Sequence, residues 1–164
     1  MNARTTRSLA AALSLTAALA ISGCSGSEDE ASKPAPTVSG AFMPQPVNDK
    51  MAGAFMVIKN DSKTADKLTG VTSSLSDDLQ IHETKNQKMQ QVQSLDVPAN
   101  GELKLARGGD HIMFMGLKST PKVGDKVTIE LRFEKAAPVK VEVEVKERTY
   151  NTAQAPTSTA GNGH

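Results

Sequence analysis

Tryptophan is absent from this chain, tyrosine occurs once, and Cys24 is the single cysteine among 164 residues. One cysteine excludes an internal disulfide, a zinc cluster built on cysteines and a Cys-x-x-Cys redox pair. Charge of one sign is lacking as well: 19 Lys and Arg stand against 18 Asp and Glu, a formal net charge of +1. Without a basic excess there is no electrostatic footprint for nucleic acid. No Ser-His-Asp arrangement and no paired acidic motif stands out, and Asp77-Asp78 reads as a turn. The length suits one ordinary domain with tails, not a multidomain enzyme.

What is present begins at the amino terminus. Arg4 and Arg7 precede an apolar run from Leu9 to Ile21, and small residues Ser22-Gly23 lead into Cys24. This is the layout of an export signal over residues 1–23, too short and Ala-rich for a comfortable membrane span. Ile21-Ser22-Gly23-Cys24 resembles a bacterial lipobox, in which the cysteine is diacylated and becomes the first mature residue. A free thiol after ordinary cleavage is the alternative for Cys24. Two acyl chains would hold the protein at the outer face of the cytoplasmic membrane far better than one.

Residues 24–39 are small, acidic and Pro-containing, a composition that cannot bury a core and reads as a flexible tether. Residues 148–164 are rich in Thr, Ala, Gly and Ser and are expected to be disordered. Between them, 40–147 form the domain. Val127, Ile129, Leu131 and Phe133 alternate with polar residues, as do Val139, Val141, Val143 and Val145. A period of two with β-branched residues marks strands, and the short Glu134–Ala137 segment joins them as a hairpin. Further strands are expected at Gly53–Lys59, Lys67–Ser73, Asp78–Glu83, Lys88–Ser94, Glu102–Leu105 and His111–Met115, separated by turn-forming clusters such as Asn60-Asp61-Ser62. The fold class is all-β, a sandwich or Greek-key barrel.

Within that domain the histidines are only two, His82 and His111, with His164 at the far end of the tail. Six methionines follow the signal: Met43, Met51, Met56, Met89, Met113 and Met115. Any one of them is best read as a core filler. On a strand, however, His111, Met113 and Met115 share one face, while Ile112 and Phe114 supply the core from the other. In the hairpin near Lys85-Asn86, a two-residue loop at those positions, or a four-residue loop from Thr84 to Gln87, sets His82 directly opposite Met89. A loop at Asn86-Gln87 breaks that opposition. Both registers are open at this point.

The segment from Ile81 to Lys118 resembles the PCuAC family of exported copper chaperones. The family pattern is a His, ten residues, a Met, twenty-one residues, a His, one residue and a Met. Here twenty-one residues separate Met89 from His111, and Ile112 alone separates His111 from Met113. Val97-Pro98-Ala99, Gly108-Gly109 and Met115-Gly116-Leu117 are also in the family style, and Lys122–Val145 resembles its closing hairpin. The chain departs in having six residues between His82 and Met89, and Glu83 where a further Met is common. The resemblance implies a cupredoxin-like fold and a site of His82, Met89, His111 and Met113.

Thioethers and imidazoles suit Cu(I), hard ions prefer oxygen, and zinc rarely takes methionine. Outside the cytoplasm thioethers need no deprotonation, so only the imidazoles make binding weaken as pH falls through roughly 6 to 7. A blue-copper electron carrier would need a Cys thiolate, and the chain is read as no enzyme. Met43, Met51 and Met115 are expected to pack, with a transfer role near the site mouth as the alternative, and His164 to be a solvated terminus, with a looser Cu(II) site as its alternative. The resemblance implies delivery of copper to the dinuclear centre of cytochrome c oxidase, with a Sco-type partner. Copper buffering and a non-metal surface-interaction role are the rival readings.

Overall fold

A computed structural model describes residues 34–151. The signal segment 1–23, Cys24, most of the segment read as tether, and the chain from Thr152 to His164 lie outside the described residues. Ten strands and no helix make up what is described: β1 (Thr37–Pro44), β2 (Met51–Asn60), β3 (Asp66–Ser73), β4 (Asp78–Lys85), β5 (Lys88–Val92), β6 (Leu95–Val97), β7 (Gly101–Leu105), β8 (His111–Met115), β9 (Lys126–Phe133) and β10 (Val139–Lys146).

The two cleanly alternating segments are β9 and β10, paired antiparallel with Val141 opposite Ile129. Val127, Ile129, Leu131 and Phe133 are buried, as are Val143 and Val145. Two strands lie where no clean pattern announces them. β1 starts at Thr37, inside the segment read as tether, and a register shift between Ser39 and Phe42 breaks its alternation where Gly40 takes a positive φ of 60°. The bulge explains why its period is unreadable. β6 has three residues, too few to show a period.

The strands follow one another in the order β5-β4-β8-β2-β1-β10-β9-β3-β6, with β7 also against β2. Every neighbouring pair is antiparallel except β1 and β10. β2 is the branch point. Its first half, Met51–Ala54, pairs with β8, and its second half, Met56–Asn60, pairs with β7. One hydrophobic core collects Ile81, Ile112 and Phe114 from one end of this order and Leu68, Val97, Ile129 and Leu131 from the other. Burial of such side chains removes apolar area from water at roughly 25 cal/mol per Å².

Met43 and Met56 are fully buried and act as core fillers, as expected of isolated methionines. Asn60 is buried too. Its side chain accepts from Ser62 N–H at 3.0 Å and donates to the Thr64 carbonyl at 2.9 Å, so Asn60-Asp61-Ser62 is a turn.

Candidate metal centre

The β4–β5 hairpin turns on Asn86 and Gln87, both with positive φ (50° and 62°), and Lys85 pairs with Lys88. Two such residues in succession make the turn whose twist suits a hairpin, and asparagine tolerates that conformation better than lysine would. The direct opposition of His82 and Met89 is therefore not formed. His82 faces Gln91, and Met89 faces Thr84. The slip is two residues, an even number, so Met89 stays on the same face as His82, one diagonal away.

On the other side of β4, His82 is directly opposite His111 of β8, and their ring centroids lie 5.2 Å apart. Gln80 stands opposite Met113 in the same ladder. Ile112 and Phe114 go to the core and leave His111, Met113 and Met115 on the outer face, as the alternation predicts. Opposite Met113 across β2 is Gly53. A Cβ at that position would come within 3.3 Å of the Phe55 ring, so glycine keeps the ground beside Met113 open.

His111, Met113 and Met89 line a common open cleft of about 330 Å³, together with Phe55, Gly53 and Arg107. His82 is not among the residues that line this cleft and adjoins it through the His111 ring. Phe55 flanks His111 from the other side at 6.2 Å, and the Arg107 guanidinium lies 5.9 Å over the Phe55 ring. Sequence reasoning did not single out Phe55, Gly53 or Arg107. The signal for the first two was the alternation of β2, where Ala52, Ala54, Met56 and Ile58 are buried and the residues between them face outward.

Hydrogen bonds decide which ring nitrogens are free. His111 is only 5% exposed, and its Nδ1–H donates to the Gly109 carbonyl at 2.9 Å. The same carbonyl accepts from Thr84 Oγ1 at 2.9 Å, while Asp110 Oδ1 accepts from Thr84 N–H at 2.9 Å. The Gly108–Asp110 turn is thereby fastened to β4, and it fixes the His111 tautomer with Nε2 left to offer a lone pair. His82 Nε2–H donates to Gln80 Oε1 at 3.0 Å, and the Gln80 amide donates in turn to both Asp78 carboxylate oxygens at 3.2 Å. That leaves Nδ1 as the lone pair of His82. Partial burial, and secondarily the nearby His111, hold His82 below the ordinary histidine range, which favours the neutral ring that a metal needs.

Two further placements bear on the donor set. Glu83 points away from His82, pairs with Lys85 Nζ at 2.7 Å and accepts from Gln90, so it is committed elsewhere. Among the described residues, no group of three or more His, Cys, Asp or Glu side chains could hold a metal ion. A metal centre on this face depends on thioether sulfur. Met89 is 64% exposed and Met51 51% exposed, so Met51 is not the packing residue that the sequence suggested.

The family model described as LpqE-like lipoprotein matches residues 36–145. A relative named as lipoprotein Lxx21020, from Leifsonia xyli subsp. xyli, is 41% identical over 102 residues, covering 59% of this chain and 61% of that protein. The chain thus spans about three-fifths of the length of this curated relative. Among solved structures, CuI-DR1885 from Deinococcus radiodurans is 31% identical, with a TM-score of 0.61 over 73% of this chain and 83% of that one. The copper-bound PCuAC domain from PmoF2 has a TM-score of 0.61 at 22% identity, over 67% of this chain and 91% of that one, a likeness of fold. The all-β domain is cupredoxin-like in the manner of these structures. With its strands and its family match covering the same residues, the chain belongs to the LpqE-like lipoprotein family, and its β domain is of the PCuAC kind.

Proposed function

We propose that this domain binds one Cu(I) through His82, Met89, His111 and Met113 and acts as a copper chaperone. The observation that carries the proposal is the pair of imidazoles with ring centroids 5.2 Å apart, on the sheet face that also carries the Met89 and Met113 thioethers. Soft sulfur and imidazole donors without a thiolate or carboxylate cluster match a monovalent copper ion better than zinc, magnesium or calcium. The copper-bound likenesses among PCuAC domains support the same cargo. A carrier also needs a site that a recipient's ligands can reach. An open cleft with Met89 standing at its rim meets that need, because Met89 can leave the ion without disturbing the core.

In this reading Cys24 carries the lipid anchor, the protein faces outward from the cytoplasmic membrane, and the copper goes to the dinuclear centre of cytochrome c oxidase, with a Sco-type partner. Lipoprotein relatives support the anchor. Anaerobic titration with Cu(I) against a competing chelator tests the site: stoichiometry near one is expected, with affinity lost when any of the four donors is replaced by alanine. Normal oxidase activity in copper-poor medium after deletion of the gene would favour buffering over delivery. Membrane association that survives Cys24→Ser would remove the anchor from the proposal.

A further inference from the structure

The outer face carries a thioether pair that the four-donor site leaves unused. Met51 of β2 is directly opposite Met115 of β8, and Met115 is in turn opposite Asp78 of β4. Directly opposed side chains on a sheet have Cβ atoms roughly 5 Å apart. Two unbranched side chains with three torsions each can close that gap onto one ion between their sulfurs. Met115 lies two residues beyond Met113 on the same face of the same strand, so the pair adjoins the histidine site without sharing a donor.

Three observations set this pair apart from ordinary core methionines. Met51 is 51% exposed, where Met43 and Met56 are fully buried. The backbone beneath both sulfurs is held: Gly116 N–H donates to the Lys50 carbonyl and Leu117 N–H to the Asp49 carbonyl, each at 2.7 Å. Finally, Asp78 is next in the same row, directly opposite Met115, and its carboxylate accepts from the Gln80 amide of its own strand, which adds oxygen donors next to the thioether pair. We propose that Met51 and Met115 form a second Cu(I) site, weaker than the first because it offers two thioethers and no imidazole. This rests on the outer face being a Cu(I) surface, as proposed above.

The test uses the full chain, solubilised in detergent, with its methionine methyl groups labelled with ¹³C and titrated anaerobically with Cu(I). The first equivalent is expected to shift the Met89 and Met113 methyl signals, and the second to shift those of Met51 and Met115. Met51→Leu keeps the apolar volume and should leave the first equivalent unchanged while abolishing the second shift at Met115. The inference is overturned if the first step proceeds and a second equivalent leaves Met51 and Met115 unmoved, or if Met51→Leu leaves the second step intact. If Met51 and Met115 respond while Met89 and Met113 do not, the pair stands and the four-donor site falls.

Discussion

At the scale of single residues, the chemistry turns on two rings held in opposite ways. His111 is locked by a turn carbonyl, and His82 by an amide on its own strand. Because burial lowers the His82 pKa, protons compete with the metal for this ring below the ordinary histidine value of about 6.5. Copper affinity should therefore decline as pH falls below about 6.5, as chelator competition across pH would reveal. Stability follows the same sign. A histidine whose folded pKa is depressed contributes nothing at high pH, and the unfolded chain takes up the proton first as pH falls. Urea midpoints should drop below pH 6.5, and His82→Gln should flatten that part of the profile. Met113→Leu should separate site from fold: the swap conserves volume and costs under about 1.5 kcal/mol in a denaturation curve, yet it removes a sulfur donor and should weaken Cu(I) binding at least tenfold. Much at this scale was legible. The alternation of Ile112 and Phe114 with His111, Met113 and Met115 is a matter of strand geometry. Which nitrogen each ring offers was not legible, since the Gly109 carbonyl and Gln80 amide are brought to the rings only by the folded backbone.

At the scale of elements, the β4–β5 hairpin shows why register is harder to read than strand identity. Both strands were evident, but two turn positions differing by one residue fit the same letters, and only the backbone conformation of Asn86 and Gln87 decides between them. Gln87 holds a left-handed conformation that costs a side chain-bearing residue about 1–2 kcal/mol. Gln87→Gly removes that cost and adds back some chain entropy, so the domain should gain about 0.5–1 kcal/mol in urea unfolding. A loss instead would mean that the turn sits elsewhere. Copper affinity should stay the same in this variant, because the diagonal between His82 and Met89 is set by the register and not by the turn's side chains. β1 failed to announce itself for a different reason: its bulge at Gly40 destroys the period, and its other neighbour, β10, lies about a hundred residues further along the chain.

For the molecule as a whole, the metal face and the strands that brace it are different parts of one sheet. The site draws on β5, β4, β8 and β2, while the opposite end of the strand order is tied together by Asp66 at the start of β3. This carboxylate is buried and accepts three backbone N–H bonds: from Lys67 at 2.7 Å and Lys135 at 3.0 Å on Oδ1, and from Ala136 at 2.9 Å on Oδ2. Lys135 and Ala136 form the turn of the β9–β10 hairpin, so one side chain fastens β3 to a segment some seventy residues away in sequence. Hydrogen bonds to a charged acceptor contribute about 1.5–3 kcal/mol each in favourable cases, and donors left unpaired in a buried place add a penalty when the acceptor is removed. Water can replace part of the loss at the turn. Asp66→Ala should then lower the unfolding free energy by about 2–4 kcal/mol. Asp66→Asn, which keeps one carbonyl acceptor, should lose less. Neither change touches a donor of the metal face, so the first equivalent of Cu(I) should bind to either folded variant with wild-type affinity. A fall in affinity parallel to the fall in stability would mean that the far end of the sheet positions the imidazoles, and that the site is not a property of its own four strands.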